Sequence, residues 1–438
     1  MVHLIQIFLF FAISFSALVN SSPTTTLQEV SHIQHKRAVC TPTSAGDAGT
    51  DDVPSIESAI STCGNGGTIV IPAGITYAIR TTLSFAGCVD CNFEVEGTLK
   101  VRFGNRIRSG KPAPHLLKHS LKPRAKFKKA SDDLTYWEGK KAIFYMPDIT
   151  TATIQSITGA GLIDGNGQAA YDYFASNSSY ARPTLWYITG STGITIKNLY
   201  FRNAPNVFHS AAGNSKNIVY SSVTLNAASS STNAPKNTDG WDIGPASYVT
   251  ITDVVVSNQD DCIAFKPGAN YVTVSGISCT GSHGFLVGSL GSEAGTTDVV
   301  SNIYVYNADM TSSTKAAGIK LYPGGYGSAT VSNVTWDTVT VSDVGYAAQI
   351  QSCYSQTATY CAANPGSASL TDINFKNFKG TTSTSYEPVI ANLDCPEDGT
   401  CDIYFSEWAV EPPTGTAEYL CANIDSTPGI MCTSGASG

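Results

Sequence analysis

The sequence predicts an all-β chain wound as a solenoid of stacked parallel coils, and three observations carry that prediction. Short apolar runs recur every 20–30 residues or so, as in Val249–Val254, Val272–Ile277 and Val300–Val305, which is the period of one strand-and-turn coil. Only 14% of the 438 residues are charged, and Met is rare while Gly, Ser, Thr and Asn abound. That composition suits many short strands and tight turns rather than helices. Third, polar clusters interrupt the runs between Asn237 and Lys320 at matching intervals: Asn237-Thr238-Asp239, Asp260-Asp261, Gly281-Ser282-His283-Gly284 and Gly318-Ile319-Lys320.

Taken in order, the chain opens on an apolar run, Leu4 to Leu18, that ends in small residues. This pattern predicts a secretory signal peptide over 1–19, since the run is short for a membrane span. A polar stretch ending in Lys36-Arg37 reads as a propeptide over 20–37, with dibasic cleavage leaving a single domain over 38–438. Twelve cysteines behind a signal peptide imply disulfides. Short spacings suggest Cys262–Cys279, Cys353–Cys361, Cys395–Cys401 and Cys421–Cys432, with Cys40–Cys63 and Cys88–Cys91 completing the set. Asn177 and Asn333 begin glycosylation sequons.

Asp51 to Ser61 carries apolar residues at Val53, Ile56, Ala59 and Ile60 with Pro54 near its start. It reads as a short N-terminal helix that caps the open end of the solenoid. Gly67–Pro72 and Phe93–Leu99 are the first strands; Ala152–Ile157, Gly193–Leu199 and Asn217–Val223 precede the central coils, and Val331–Trp336 and Leu370–Phe375 follow them. The tail from Cys395 to Cys432 is expected to cover the far end.

One segment is out of character. Arg102 to Ala130 holds ten Lys or Arg and no Asp or Glu. The whole chain has a net charge of −8, and without this stretch 16 basic residues would face 34 acidic ones. It reads as a polyanion-recruiting patch, as a disordered insertion, or as intron sequence retained in the gene model, with Val101 properly joined to Ser131. The last reading fits the abrupt change of character at both edges.

Asp239 and Asp260 are 21 residues apart, and Asp260 and His283 are 23 apart. In a parallel solenoid such residues stack about 4.8 Å apart on one face. Carboxyls that close cannot all ionise freely, and two carboxyls in different protonation states are what glycoside hydrolysis requires. A calcium site or Asp side chains tied to turn backbone are the alternatives that spacing alone leaves open.

The motifs Asn237-Thr-Asp239-Gly, Gln259-Asp260-Asp261-Cys262 and Gly281-Ser-His283-Gly284 resemble, in order and spacing, the signature of the polygalacturonases of glycoside hydrolase family 28. The resemblance runs from about Cys40 to the end. It implies a right-handed parallel β-helix that cleaves galacturonan in pectin with inversion. By position it implies Asp260 as general acid, Asp239 and Asp261 as the carboxylates that hold and activate water, Asn237 as their orienting neighbour, and His283 as the group that keeps the acid protonated. His209 is expected at a coil edge in a structural role. The family's Arg-Ile-Lys becomes Gly318-Ile319-Lys320 here, so Lys320 would bind a substrate carboxylate without its arginine partner. Gly318 would open space for a branch such as xylose. With Gly240-Trp241, Gly288-Ser-Leu-Gly291 and Tyr322-Pro-Gly, the chain is most similar to the family's xylogalacturonan hydrolases. Polygalacturonases acting on plain galacturonan are the second reading. Tyr354 is the expected sugar-stacking residue.

A pectate lyase would need Ca²⁺ and a cationic base, and the clusters hold no arginine. A non-catalytic carbohydrate-binding solenoid would not need the aspartates. The expectation is thus a secreted, monomeric hydrolase with a polysaccharide substrate, no cofactor or metal, and no nucleic-acid or membrane partner.

Overall fold

The computed structural model describes residues 37–103 and 134–438. The expected signal peptide, the propeptide up to residue 36 and all of the basic segment beyond Phe103 lie outside the described residues. The chain folds as a right-handed parallel β-helix of two sheets, with 18 and 12 strands. The strands pair in parallel, each with the coil before and the coil after.

The apolar runs of the sequence fall in the larger sheet. Ala246–Ser257, Ala269–Thr280, Thr297–Thr311, Ser328–Val344 and Ser367–Thr382 are its long strands. Alternation sends every second residue inward. Ile194, Ile218, Val249, Val272, Ile303, Val334, Ile373 and Ile403 consequently pair one above another as an unbroken aliphatic column. These strands bend where a residue takes positive φ, such as Tyr248 and Asp253 in one coil or Asn302 and Asn307 in another. Asn and Asp tolerate that conformation better than other side chains. At one bend Asn333 donates to Asn302, and Asn302 to Asn270, both at 2.8 Å.

The 12-stranded sheet is built differently. Its strands are short: His209–Ala212, Trp241–Ile243, Ile263–Phe265, Phe285–Leu290, Lys315–Leu321 and Tyr346–Gln351. Phe144, Trp186, His209, Trp241, Ile263, Phe285, Ala317 and Ala348 form its inward column. Tyr187, Ser210, Asp242, Ala264, Leu286, Gly318 and Gln349 form the outward one.

The capping helix spans Val53–Cys63 and buries Val53, Ile56, Ala59, Ile60 and Cys63. Two further short helices, Gln168–Ser176 and Ala358–Ala363, were not anticipated. All six expected disulfides are present. The C-terminal strands Glu418–Ala422 and Cys432–Ser434 pair onto the 12-stranded sheet as its last two members. Phe103 and Trp137, which flank the undescribed stretch, touch with ring centroids 6.0 Å apart. Among the described residues, no helix is long and apolar enough to cross a membrane.

His209 departs from expectation in place though not in role. It lies inside the core rather than at a coil edge, stacked on Trp241 with Phe201 and Tyr220 edge-on. Complete burial pushes its pKa down to about 3. The unfolded chain takes up a proton near the usual value of about 6.5 that the fold refuses. Stability from this site is therefore complete above that value and declines as pH falls toward 3, by about 3 kcal/mol between pH 7 and pH 4. His209→Phe should flatten this acid-side loss, so the gap in melting temperature between pH 7 and pH 4 should shrink relative to the unsubstituted chain. An unchanged gap would mean that acid sensitivity arises elsewhere.

Candidate active site

Three of the polar clusters stand at the entry ends of consecutive short strands, and the fourth lies within the next strand. Asp239 precedes Trp241–Ile243, Asp260 and Asp261 precede Ile263–Phe265, and His283 precedes Phe285–Leu290. Lys320 lies within the fourth strand. Parallel hydrogen bonding continues through these turns: Phe208 N donates to Asp239 O, Gly240 N to Asp261 O, and His283 N to Asp260 O. The buried amide of Asn258 fastens the turns together. It donates to the carbonyls of Thr238 at 2.9 Å, Asp260 at 3.1 Å and Asp261 at 2.9 Å. Ser282 Oγ adds a bond to Asp260 O at 2.9 Å. The Cys262–Cys279 disulfide holds the residue after Asp261 to the opposite sheet.

Upon this frame the expected residues meet. Asn237, held at positive φ, donates to Asp260 Oδ2 at 3.2 Å. His283 Nδ1 lies 3.2 Å from Asp260 Oδ1. Lys320 Nζ pairs with Asp261 Oδ2 at 2.7 Å and sits 5.3 Å from the centre of the Tyr354 ring. Asp239 is buried beside them.

Burial, followed by the charges of Asp242, Asp260 and Asp261, holds Asp239 well above the usual carboxylate range. Its side chain hydrogen-bonds Asp242, whose own pKa is raised by burial against the pull of Lys266 3.4 Å away. Both carboxyls are therefore harder to ionise than a free aspartate. Asp260 goes the other way. Burial works to raise it, but the hydrogen bond and charge of His283, the Asp261 amide and Lys320 outweigh burial. His283 is expected from the sequence to keep Asp260 protonated; the contact favours the carboxylate instead.

Sequence reasoning missed several members. Asp242 and Lys266 point outward one and three residues beyond inward-facing Trp241 and Ile263, a signal that strand alternation could have exposed. Arg182 comes from a distant loop. It donates to Asn237 Oδ1 at 2.7 Å and to the carbonyls of Lys236 and Pro205, lying over the Phe174 ring. Burial lowers its pKa to about 10. The space expected at Gly318 needs correction. A Cβ built there would collide with the backbone carbonyl of Gln349, so the next coil closes the floor and bars any side chain. Room exists elsewhere, in a groove beside His283 lined by Ser312, Ser313, Thr314, Ser383 and Tyr386.

Asp260, Asp261 and His283 bring possible ligand atoms within 4.8 Å of one another, the density a cation site would need. The Lys320 ammonium already occupies the position of a cation at Asp261, and burial raises Asp239 against ionisation. The arrangement is suited to proton transfer around a water or an ether oxygen.

Residues 67–432 match the model for "Glycosyl hydrolases family 28". Endo-xylogalacturonan hydrolase A of Aspergillus tubingensis is 52% identical over 406 residues, 92% of each chain. A protein of Neosartorya fischeri named a probable endo-xylogalacturonan hydrolase A is 47% identical over 97% of this chain and 98% of its own. The crystal structure of the Aspergillus tubingensis enzyme superposes with a TM-score of 0.83, covering 92% of this chain and all of that one. A polygalacturonase of Erwinia carotovora shares the fold at 19% identity, with a TM-score of 0.65 over 89% of this chain and 97% of that one.

Asn258→Ala would leave the Thr238 carbonyl without its donor and remove one of the donors to Asp260 O and Asp261 O, which keep Ser282, His283 and Gly240. The expected cost is about 1–3 kcal/mol of stability, seen in the denaturation midpoint, with a fall in activity as the Asp260 turn loosens. A variant as stable and active as the unsubstituted chain would show that the turns are held without Asn258.

Proposed function

The chain belongs to glycosyl hydrolase family 28 and is a glycoside hydrolase; from that premise we propose that it cleaves α-1,4-galacturonosyl linkages within the xylose-branched galacturonan of pectin, with inversion. The observation that carries this reading is the convergence of Asp239, Asp260 and Asp261 with His283 and Lys320 in one cluster, where burial raises Asp239 and Asp242 while His283 lowers Asp260.

The protons of such a cluster belong to the group rather than to one residue. Galacturonan brings carboxylates of its own and displaces water from the cleft. Both effects raise Asp260, where burial is already the largest influence. With the proton on Asp260, that residue donates to the leaving glycosidic oxygen. Asp239 and Asp261 then act as carboxylates that orient and deprotonate the attacking water. An inverting pair leaves roughly 6.5–9.5 Å between acid and base for that water, a span that neighbouring coils and side-chain reach can supply. Asn237 and Arg182 fix the acid's orientation, and Lys320 holds the Asp261 side chain in place.

Acceptance of branches is supported by the small-residue groove beside His283. Tyr354 and Tyr322, 5.5 Å apart, offer rings at the other edge of the cleft for sugar stacking. Six disulfides support an extracellular setting for the enzyme. Hydrolysis of unbranched galacturonan is the second reading, favoured by retention of Lys320.

The test is release of reducing ends from xylose-branched galacturonan and from polygalacturonic acid in parallel, with EDTA present. Release from the branched polymer, without an ultraviolet-absorbing double bond, is expected. Equal or better release from the plain polymer would favour the second reading, and an unsaturated product would replace hydrolysis with elimination. Asp260→Asn should lower kcat by at least about 10³-fold with the melting temperature preserved; a near-normal rate would remove Asp260 from the chemistry.

A further inference from the structure

The cations around the cluster are not equivalent. Lys320 is paired with Asp261 at 2.7 Å and Lys266 with Asp242 at 3.4 Å. Arg182 is consumed by Asn237 and two backbone carbonyls. Lys315 is the exception. It donates to Gln351 Oε1 at 3.0 Å and makes no ion pair among the described residues. An ammonium carries three donors, and Gln351 takes one of them in a half-buried site. Burial and then Lys320 push its pKa down to about 8, against the attraction of Asp261 and Asp260.

Its placement is equally telling. Lys315 opens its strand opposite Tyr346, whereas Gln351 is the register partner of Lys320 at the strand's other end. The hydrogen bond between Lys315 and Gln351 therefore runs along the cleft floor past Gly318. The Gln349 carbonyl bars a side chain at 318 itself, so a second cation cannot come from that position. Lys315 brings one from the start of the same strand, within electrostatic reach of Lys320, Asp261 and Asp260.

We propose that Lys315 is a substrate-binding, specificity-determining residue, whose ammonium takes the carboxylate of a galacturonosyl unit over Gly318. Lys320 then remains committed to Asp261, and the substrate supplies the countercharge that Lys315 lacks. This inference rests on the galacturonan reading of the site. It accounts for how a cleft without the family's arginine position still recognises a polyanion.

The experiment compares Lys315→Gln, Lys315→Met and Lys315→Arg on branched galacturonan in its free-acid form and after methyl esterification. Removing a charge-assisted hydrogen bond to the free acid should raise KM about 10- to 100-fold in the Gln and Met variants, with kcat within about threefold. On the esterified polymer, the ratio of variant to unsubstituted KM should stay near one. Arginine should restore most of the free-acid affinity. If KM is unchanged on the free acid, or rises equally on both polymers, Lys315 merely supports Gln351 and the inference falls while the hydrolase reading stands. If the unsubstituted enzyme cleaves neither polymer, both fall together.

Discussion

Each carboxyl of the site owes its position to the parallel register between successive coils. Hydrogen bonds run from Phe208 to Asp239, from Gly240 to Asp261 and from His283 to Asp260, so the turns bearing these side chains are stacked as strictly as the strands are. A slip of one residue would turn every inward residue outward, putting Trp241 in solvent and Asp242 in the core. The aliphatic column of the larger sheet makes that slip prohibitive. The core thus sets the spacing of the chemistry, and Asn258 transmits it across the last few ångströms by holding three turn carbonyls with one amide.

Charge is organised by the same stacking. Among the described residues, the four carboxyls Asp239, Asp242, Asp260 and Asp261 meet two lysine partners, Lys320 and Lys266. An imbalance of that kind in a poorly hydrated cleft is relieved by retaining protons. Burial raises Asp239 while His283 lowers Asp260, so neighbouring carboxyls of one cluster are set apart in acidity.

Much of this was legible in the sequence, and the gaps have physical causes. The long Val- and Ile-rich runs located the larger sheet because its strands alternate strictly and expose a polar face. The 12-stranded sheet was hidden. A strand such as Trp241–Ile243 is only three residues long, and Ile263–Phe265 is buried throughout, so neither offers the long run that marked the larger sheet, although the outward position of Asp242 follows from alternation. The motif residues Asn237, Asp239, Asp260, Asp261, His283, Lys320 and Tyr354 do gather in one place. Arg182 could not have been found from spacing, because it arrives from a loop that local periodicity does not connect to the site. Gly318 misled because a missing side chain suggests a vacancy, whereas the neighbouring backbone had claimed the volume. His209 misled by its polarity; an aromatic cage can hold a neutral imidazole as readily as a phenyl ring.

The disulfides close loops of 3 to 23 residues, so each one ties a coil to itself or to its immediate neighbour. Cohesion along the stack is left to nearest-neighbour packing, as in other linear arrays. Such an array frays from its ends, and a strand's lifetime in the native state lengthens with its distance from either terminus. The strands bearing Asp242, Ala264, Leu286 and Lys320 have four strands of their sheet before them and four after. The chemistry is thereby seated where transient opening is rarest. Proteases in the surrounding medium would meet the terminal coils, as expendable cladding, well before they reached the working surface.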